Sequence, residues 1–306
     1  MSIRAGDQIG PFIVEKALPS EGGMSKIFLV QDTERRYRAV VKVSLTKDEN
    51  STIQQDMLRR ETLVLTKLRH PGIVRIFPLP IGRYMTYTAR ALTHPDKPWF
   101  YAMEYLGHGS LGDLATVIAG KYPLMWTIEL FYQLVTTVHF MHQNRFAHCD
   151  LKPQNILFRY SPDPRQTPVV VLVDFGSVAP NFQIEQLTAS VRYSPPEVLL
   201  ALKRSDLDLS DAGIQADKVD IWGLGVILFE IITGRPLFHQ KLRDSITTTI
   251  LRGEIELMRK YRLEVHDSLD FLLTKMLEKD PGKRPTTGQI IEALEERIES
   301  IRPPRI

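Results

Sequence analysis

The chain has 306 residues, 43% apolar and 25% charged, which suits a globular protein and is long enough for two lobes with their own cores. Its 39 basic and 36 acidic side chains leave +3, spread without a long run of like charge, so nucleic acid and membrane surfaces are not expected partners. A single cysteine excludes an internal disulfide. No apolar stretch approaches the ~18 residues of a membrane span and the N-terminus lacks a signal-peptide pattern, so a cytoplasmic chain is expected.

In chain order, Ile9–Glu15, Lys26–Gln31 and Arg38–Val43 are β-branched, aromatic or apolar runs bounded by turn residues, and predict strands. A helix is predicted over Thr52–Leu68, with Ser51 or Thr52 as its cap. Further strands are expected at Ile73–Phe77 and Trp99–Tyr105, with Arg83–Pro98 between them as an elaborated loop. From Gly107 onward the helical period dominates: Trp126, Leu130, Leu134, Val138 and Met141 recur on one helix face. Val169–Val173 reads as a buried strand, Ile221–Ile232 as a helix apolar all round, and Leu269–Leu277 and Thr286–Ile301 as closing helices. Strand-rich first and helix-rich second is an α+β, bilobal arrangement, divided here into 1–104 and 105–306.

Lys42 lies in the apolar run Ala39–Val43, where Val40 and Lys42 share a strand face. By itself it fits an edge lysine reaching water. On the following helix, Ile53, Met57, Glu61, Val64 and Leu68 form one stripe, so Glu61 is a carboxylate on the core-facing side. Burial without a cation costs several kcal/mol, which makes Lys42 its expected partner, with the ammonium aimed at nucleotide phosphates. The alternative rotates the helix and sends Glu61 to solvent.

Upstream, Pro19-Ser20-Glu21-Gly22-Gly23-Met24-Ser25-Lys26-Ile27 occupies the place of a phosphate-cradling loop, where glycine allows close backbone approach. Only Gly22 stands at one of the three expected glycine positions, Ser20 and Ser25 replace the others, and a plain hairpin turn fits equally. Glu104-Tyr105-Leu106 ends a strand and offers backbone groups to an adenine edge, flanked by Val40 and Met103; an interlobe linker has the same features.

Residues 148–155 read His-Cys-Asp-Leu-Lys-Pro-Gln-Asn, and nineteen residues past Asn155 comes Asp174-Phe175-Gly176. Five fixed letters across some 300 windows arise by chance in about one sequence in 10^4. Asp150 can accept or orient a hydroxyl proton, and Lys152 can offset charge on a phosphoryl group in transfer. Asn155 and Asp174 are hard oxygen ligands suited to Mg²⁺ bound jointly with phosphates.

With these motifs the chain resembles the serine/threonine type of protein kinase from about Asp7 to Ile301. Further matches are Pro195-Pro196-Glu197, Asp220-Ile221-Trp222-Gly223-Leu224-Gly225 and Asp280-Pro281-Gly282-Lys283-Arg284-Pro285. The resemblance implies a bilobal fold that binds MgATP between its lobes, with a protein Ser/Thr hydroxyl as acceptor. It implies catalytic roles for Lys42, Glu61, Asp150 and Lys152, and Mg²⁺ held by Asn155 and Asp174. Ser20, Gly22, Gly23, Ser25, Ile27, Val40, Lys42, Met103, Glu104 and Leu106 would line the nucleotide. It also implies a buried Glu197–Arg284 pair, Asp220 bracing the catalytic loop, Ser190 bonded to Asp150 and Lys152, and a structural His148.

Three departures from the family pattern stand out. The Gly-rich loop is degenerate. Cys149 replaces the arginine that usually faces an activation-segment phosphate, so dependence on phosphorylation at Thr188 or Ser190 is not expected. Cys149 itself reads as an inert packed thiol, with a redox switch as the alternative. Ala201–Lys218 is longer than usual, either a solvated insertion or a partner surface. The competing functional reading is a pseudokinase, a nucleotide-binding scaffold with little or no transfer.

Overall fold

The computed structural model describes residues 3–19, 25–44, 51–81, 83–184, 190–203 and 213–301. The chain divides into two compact units, Met1–Leu106 and Gly107–Ile306, the first built on strands and the second on helices.

The first unit is an antiparallel sheet formed by β1 (Gln8–Ile9), β2 (Phe12–Leu18), β3 (Ser25–Asp32), β4 (Arg38–Ser44) and, farther along the chain, β9 (Trp99–Glu104). Between β4 and β9 come α1 (Ser51–Lys67), β5 (Ile76–Phe77), β6 (Leu79–Ile81), β7 (Tyr84–Thr86) and β8 (Ala89–Arg90). Side chains alternate across each strand, so Phe12, Phe28, Val30, Val41, Val43, Phe100 and Ala102 turn to one face and form a buried core. Phe12 and Phe100 meet there edge to face at 6.5 Å.

The helix α1 opens at Ser51, so its capping position precedes the described residues. Leu58, Glu61, Val64, Leu65 and Leu68 are all buried, which puts Glu61 on the inward side. The stretch expected as a loop is more ordered than its sequence suggests. There β7 closes a hairpin with β6, and β8 returns to the same strand, β9, that β5 pairs with. Strands of two or three residues are too short to show a period, which is why the pattern was silent. For the same reason the strand expected from Ile73 contracts to β5, while Ile73 and Val74 are buried in the preceding turn.

The second unit runs through α2 (Leu111–Lys121), α3 (Leu124–Gln143), β10 (Phe146–Ala147), β11 (Ile156–Phe158), β12 (Val170–Leu172), β13 (Ala179–Pro180) and α4 (Pro196–Ala201). It continues with α5 (Ala216–Thr233), α6 (Arg243–Arg252), α7 (Asp267–Met276) and α8 (Thr287–Ile301). Ser110 caps α2 reciprocally, bonding the Asp113 N–H while the Asp113 carboxylate accepts the Ser110 N–H. Residues 219–232 of α5 are buried on every side, Asp220 and Glu230 included, as the apolar run between these two acids requires. Gly223 lets this helix approach the loop after β10, since a Cβ there would lie 3.1 Å from Cβ and 3.2 Å from the carbonyl oxygen of Leu151. The helix ends at Gly234, whose φ of +68° favours glycine.

Candidate active site

In the first unit, Lys42 on β4 stands opposite Ile27 on β3 and Tyr101 on β9. Directly opposed residues share a face, so Ile27, Leu29, Val40, Lys42, Tyr101 and Met103 line the side of the sheet away from the Phe12–Phe28–Phe100 core. On this face, Oε1 of Glu61 accepts from Lys42 Nζ and from Tyr101 Oη, each at 2.9 Å. The Lys42 and Glu61 side chains are only 12% and 2% exposed, which rules out the solvent-facing alternative for Glu61. A buried carboxylate with a cation and a phenol on one oxygen is fixed in place, and so is the ammonium it holds.

Of the residues expected around a nucleotide, Ile27, Val40, Lys42 and Met103 share this face, and Ser25 opens β3. Ser20, Gly22 and Gly23 lie outside the described residues. Glu104 closes β9. Its N–H donates to the Arg75 carbonyl at 2.9 Å, and its carboxylate accepts the Arg75 N–H at 3.0 Å from the face opposite Met103. That amide is committed within the sheet. Leu106, the last residue of the unit, is half-buried.

In the second unit, β11 and β12 form a short antiparallel ribbon. Asn155 immediately precedes β11 and Asp174 lies just beyond β12, so antiparallel pairing brings residues far apart in sequence to one end. The Val173 N–H donates to the Asn155 carbonyl at 2.9 Å there. Asp174 has φ +61°, a backbone position that Asp tolerates better than bulky residues and that costs free energy unless its surroundings hold it.

The Asp150 carboxylate is the hub of the loop before β11. It receives Lys152 Nζ at 3.0 Å, Ser190 Oγ at 3.2 Å and Asn155 Nδ2 at 3.2 Å. Lys152 also donates to Ser190 Oγ at 3.1 Å, and Asn155 Nδ2 to the Asp150 carbonyl at 2.9 Å. With its nitrogen anchored, the Asn155 amide presents its oxygen away from Asp150. One amide oxygen and one carboxylate are hard donors too few to cage an ion alone, which fits Mg²⁺ completing its shell with phosphates and water. No cluster of three or more His, Cys, Asp or Glu able to hold a metal occurs among the described residues.

Asp220 braces this loop from α5. Fully buried, it accepts the N–H of His148 and of Cys149 at 2.8 Å each, and bonds His142 Nε2 at 2.9 Å. The two amides fix Cys149 at φ +62°, directly before Asp150. His148 packs edge to face on Phe175 at 5.2 Å, with Nε2 3.3 Å from the Val173 carbonyl. Cys149 sits against an apolar cluster with Phe182, Ile184 and Val198, and burial, reinforced by the charge of Asp220, pushes its thiol well up. Farther along, Glu197 and Arg284 form a bidentate pair at 2.7 and 2.9 Å.

Sequence reasoning missed Tyr101, His142 and the partly buried bond from Tyr193 Oη to Glu230 at 2.9 Å. Tyr101 was legible in principle, two residues before Met103 on the same strand face; nothing local flags the other contacts.

A family model for the protein kinase domain matches residues 16–294. The chain belongs to the protein kinase domain family. Among its curated relatives is the CBL-interacting serine/threonine-protein kinase 12 of Arabidopsis thaliana, 29% identical over 93% of this chain and 52% of that protein. The serine/threonine-protein kinase PrkC of Bacillus subtilis is 26% identical over 89% of the chain and 38% of its own length, and the Aurora kinase of Saccharomyces cerevisiae 24% over 88% and 65%. The kinase chain thus spans between about two fifths and two thirds of these relatives. Among the described residues no helix is long and apolar enough to cross a membrane.

Proposed function

We propose that the chain is an active serine/threonine protein kinase, transferring the γ-phosphoryl group of MgATP to a Ser or Thr hydroxyl of a protein. The observation that carries this reading is the Asp150 carboxylate bonded at once by Lys152, Ser190 and Asn155. A carboxylate oriented by three donors is preorganised to accept or align a hydroxyl proton. Lys152 offsets the negative charge that spreads over a phosphoryl group in transfer. Lys42, held by Glu61, is assigned to the nucleotide phosphates, with Ile27, Val40 and Met103 against the base. Asn155 and Asp174 would hold Mg²⁺, which when bound neutralises phosphate charge and orients the triphosphate. Lys152-Pro153 and the serine/threonine kinases among the relatives support the acceptor class. A cytoplasmic location belongs to the same proposal, supported by the single cysteine.

The opposing reading, a scaffold that binds nucleotide without turnover, draws on Ser20 and Ser25 at positions where the family has glycine. Wild type, Asp150→Asn and Lys42→Ala are incubated with labelled ATP, Mg²⁺ and a generic basic protein. The wild type is expected to label Ser or Thr, and each variant to lose at least about 10²-fold while keeping its circular dichroism. A folded wild type that transfers nothing would leave the scaffold as the better account.

A further inference from the structure

Just after β13 the chain bends sharply. The Gln183 N–H closes a turn on the Pro180 carbonyl at 3.0 Å, and both central residues are left-handed, Asn181 at φ +52° and Phe182 at φ +61°. A turn with positive φ at both centres is ordinarily built from Gly, Asn or Asp. Asn181 suits it. Phe182 does not, because a bulky side chain at positive φ is strained and persists only where its surroundings hold it there. Arg145 and Cys149 are left-handed too, so four of the seven non-glycine residues with positive φ among the described residues gather around the loop that presents Asp150.

The ring of Phe182 supplies the hold. It meets His142 edge to face at 5.9 Å, and the Arg145 guanidinium lies 5.7 Å from its centre. It also packs against the cluster of Ala147, Ala179, Ile184 and Val198 on which Cys149 rests. Backbone ties the turn to the same place: the Asn181 N–H donates to the Arg145 carbonyl at 2.7 Å, and β13 pairs with β10. From the ring, a short chain of contacts leads to Asp150. His142 Nε2 is bonded to the Asp220 carboxylate, which also takes the N–H groups of His148 and Cys149, and Cys149 directly precedes Asp150. A ring set against the imidazole restricts its rotation and keeps water from competing for Asp220.

We propose that Phe182 is a positioning residue for phosphoryl transfer. The strained turn presses its ring on His142, and His142 with Asp220 fixes the backbone of residues 148–149 so that the Asp150 carboxylate keeps its orientation. This role rests on the phosphotransfer proposed above. A ring needed only to fill the core could enter it from an unstrained strand position; the left-handed backbone places it against His142 and Arg145.

Two glycine variants separate the ring from the turn. Phe182→Gly suits the turn and removes the ring, whereas Asn181→Gly suits the turn and keeps it. Steady-state transfer and amide exchange across residues 146–150, read by mass spectrometry, are measured on the full chain, with the folded fraction taken from circular dichroism. Phe182→Gly is expected to lower kcat per folded molecule about tenfold with KM for ATP within about twofold, and to speed exchange across 146–150 about tenfold. Asn181→Gly should match the wild type in all three. The milder Phe182→Leu, expected to lose about threefold in kcat, carries the comparison if Phe182→Gly does not fold. A folded Phe182 variant with wild-type kcat, or with wild-type exchange across 146–150, would overturn the proposal, as would an equal loss in Asn181→Gly. Exchange needs no turnover: a wild type that transfers nothing would refute the kinase reading, and exchange alone would then judge the hold of the ring on the loop.

Discussion

Replacing Arg284 by Met tests how the second unit is tied together. Arg284 is 3% exposed, and its guanidinium spans both oxygens of Glu197 and also donates to the carbonyls of Glu278 and Lys218 at 2.9 Å each. Its plane lies 5.1 Å from the ring centre of Trp222 in α5. Removing it strands the Glu197 carboxylate, 17% exposed, and leaves the carbonyls of Glu278, Lys218 and Lys279 without this donor. Breaking a buried pair costs roughly 3–5 kcal/mol, and methionine recovers part of the lost packing, so a loss of about 4 kcal/mol is expected. Glu197→Gln should cost less, about 2 kcal/mol, because the guanidinium keeps its carbonyl acceptors. In the double variant no charge is stranded, so its loss should fall short of the sum by about 2 kcal/mol. Urea unfolding followed by circular dichroism and tryptophan fluorescence measures all three. An Arg284→Met loss under about 1 kcal/mol, or single losses that simply add, would mean that solvent and not the pair satisfies these groups.

Tyr101→Phe removes one of the donors on Glu61 and should destabilise the protein by about 1–2 kcal/mol, read from the same urea curves; no change would show that Lys42 alone holds the carboxylate. Glu230 is raised from 4.5 to about 7, chiefly by desolvation, with the Tyr193 hydroxyl and the Leu237 N–H opposing the rise. The folded state therefore binds this proton more tightly than the unfolded state does. That contribution is complete below pH 4.5, is lost as pH climbs to about 7, and amounts to about 3 kcal/mol. Glu230→Gln should flatten the pH–stability curve across that window, whereas parallel curves for the two proteins would contradict the assignment. Because Cys149 offers no counter-charge to a phosphate, complete dephosphorylation should leave the transfer rate within about twofold; a preparation inert until phosphorylated would refute this. Gly223→Ala pushes a methyl toward Leu151 and should cost about 1–3 kcal/mol by overpacking, detectable as a lowered melting temperature.

The residues proposed to carry the chemistry were legible because each motif is short and contiguous. Asp150, Lys152, Asn155 and Asp174 sit in two segments whose spacing made them candidates, and Glu61 stood out as an acid on an apolar helical stripe. The long helices were equally clear, since α3 and α5 run through many turns of one periodic pattern. The hairpin of β6 and β7 was not, because runs of three residues fit any period. Nor was the committed amide of Glu104, which depends on Arg75 returning along the sheet edge. The sheet register that sets Lys42 opposite Tyr101, with both on one oxygen of Glu61, lies beyond any local window, as do His142 on Asp220 and Tyr193 on Glu230.

By itself, then, the order of residues determined which groups are available and which segments coil or extend, because propensity, periodicity and motif spacing are properties of neighbours along the chain. The tertiary structure decided which groups meet. Antiparallel pairing of β11 with β12 brings Asn155 beside Asp174, and the fully buried carboxylate of Asp220 fixes the loop that presents Asp150. Such meetings depend on burial that leaves a polar group only one partner within reach, and burial exists only once distant parts of the chain have packed.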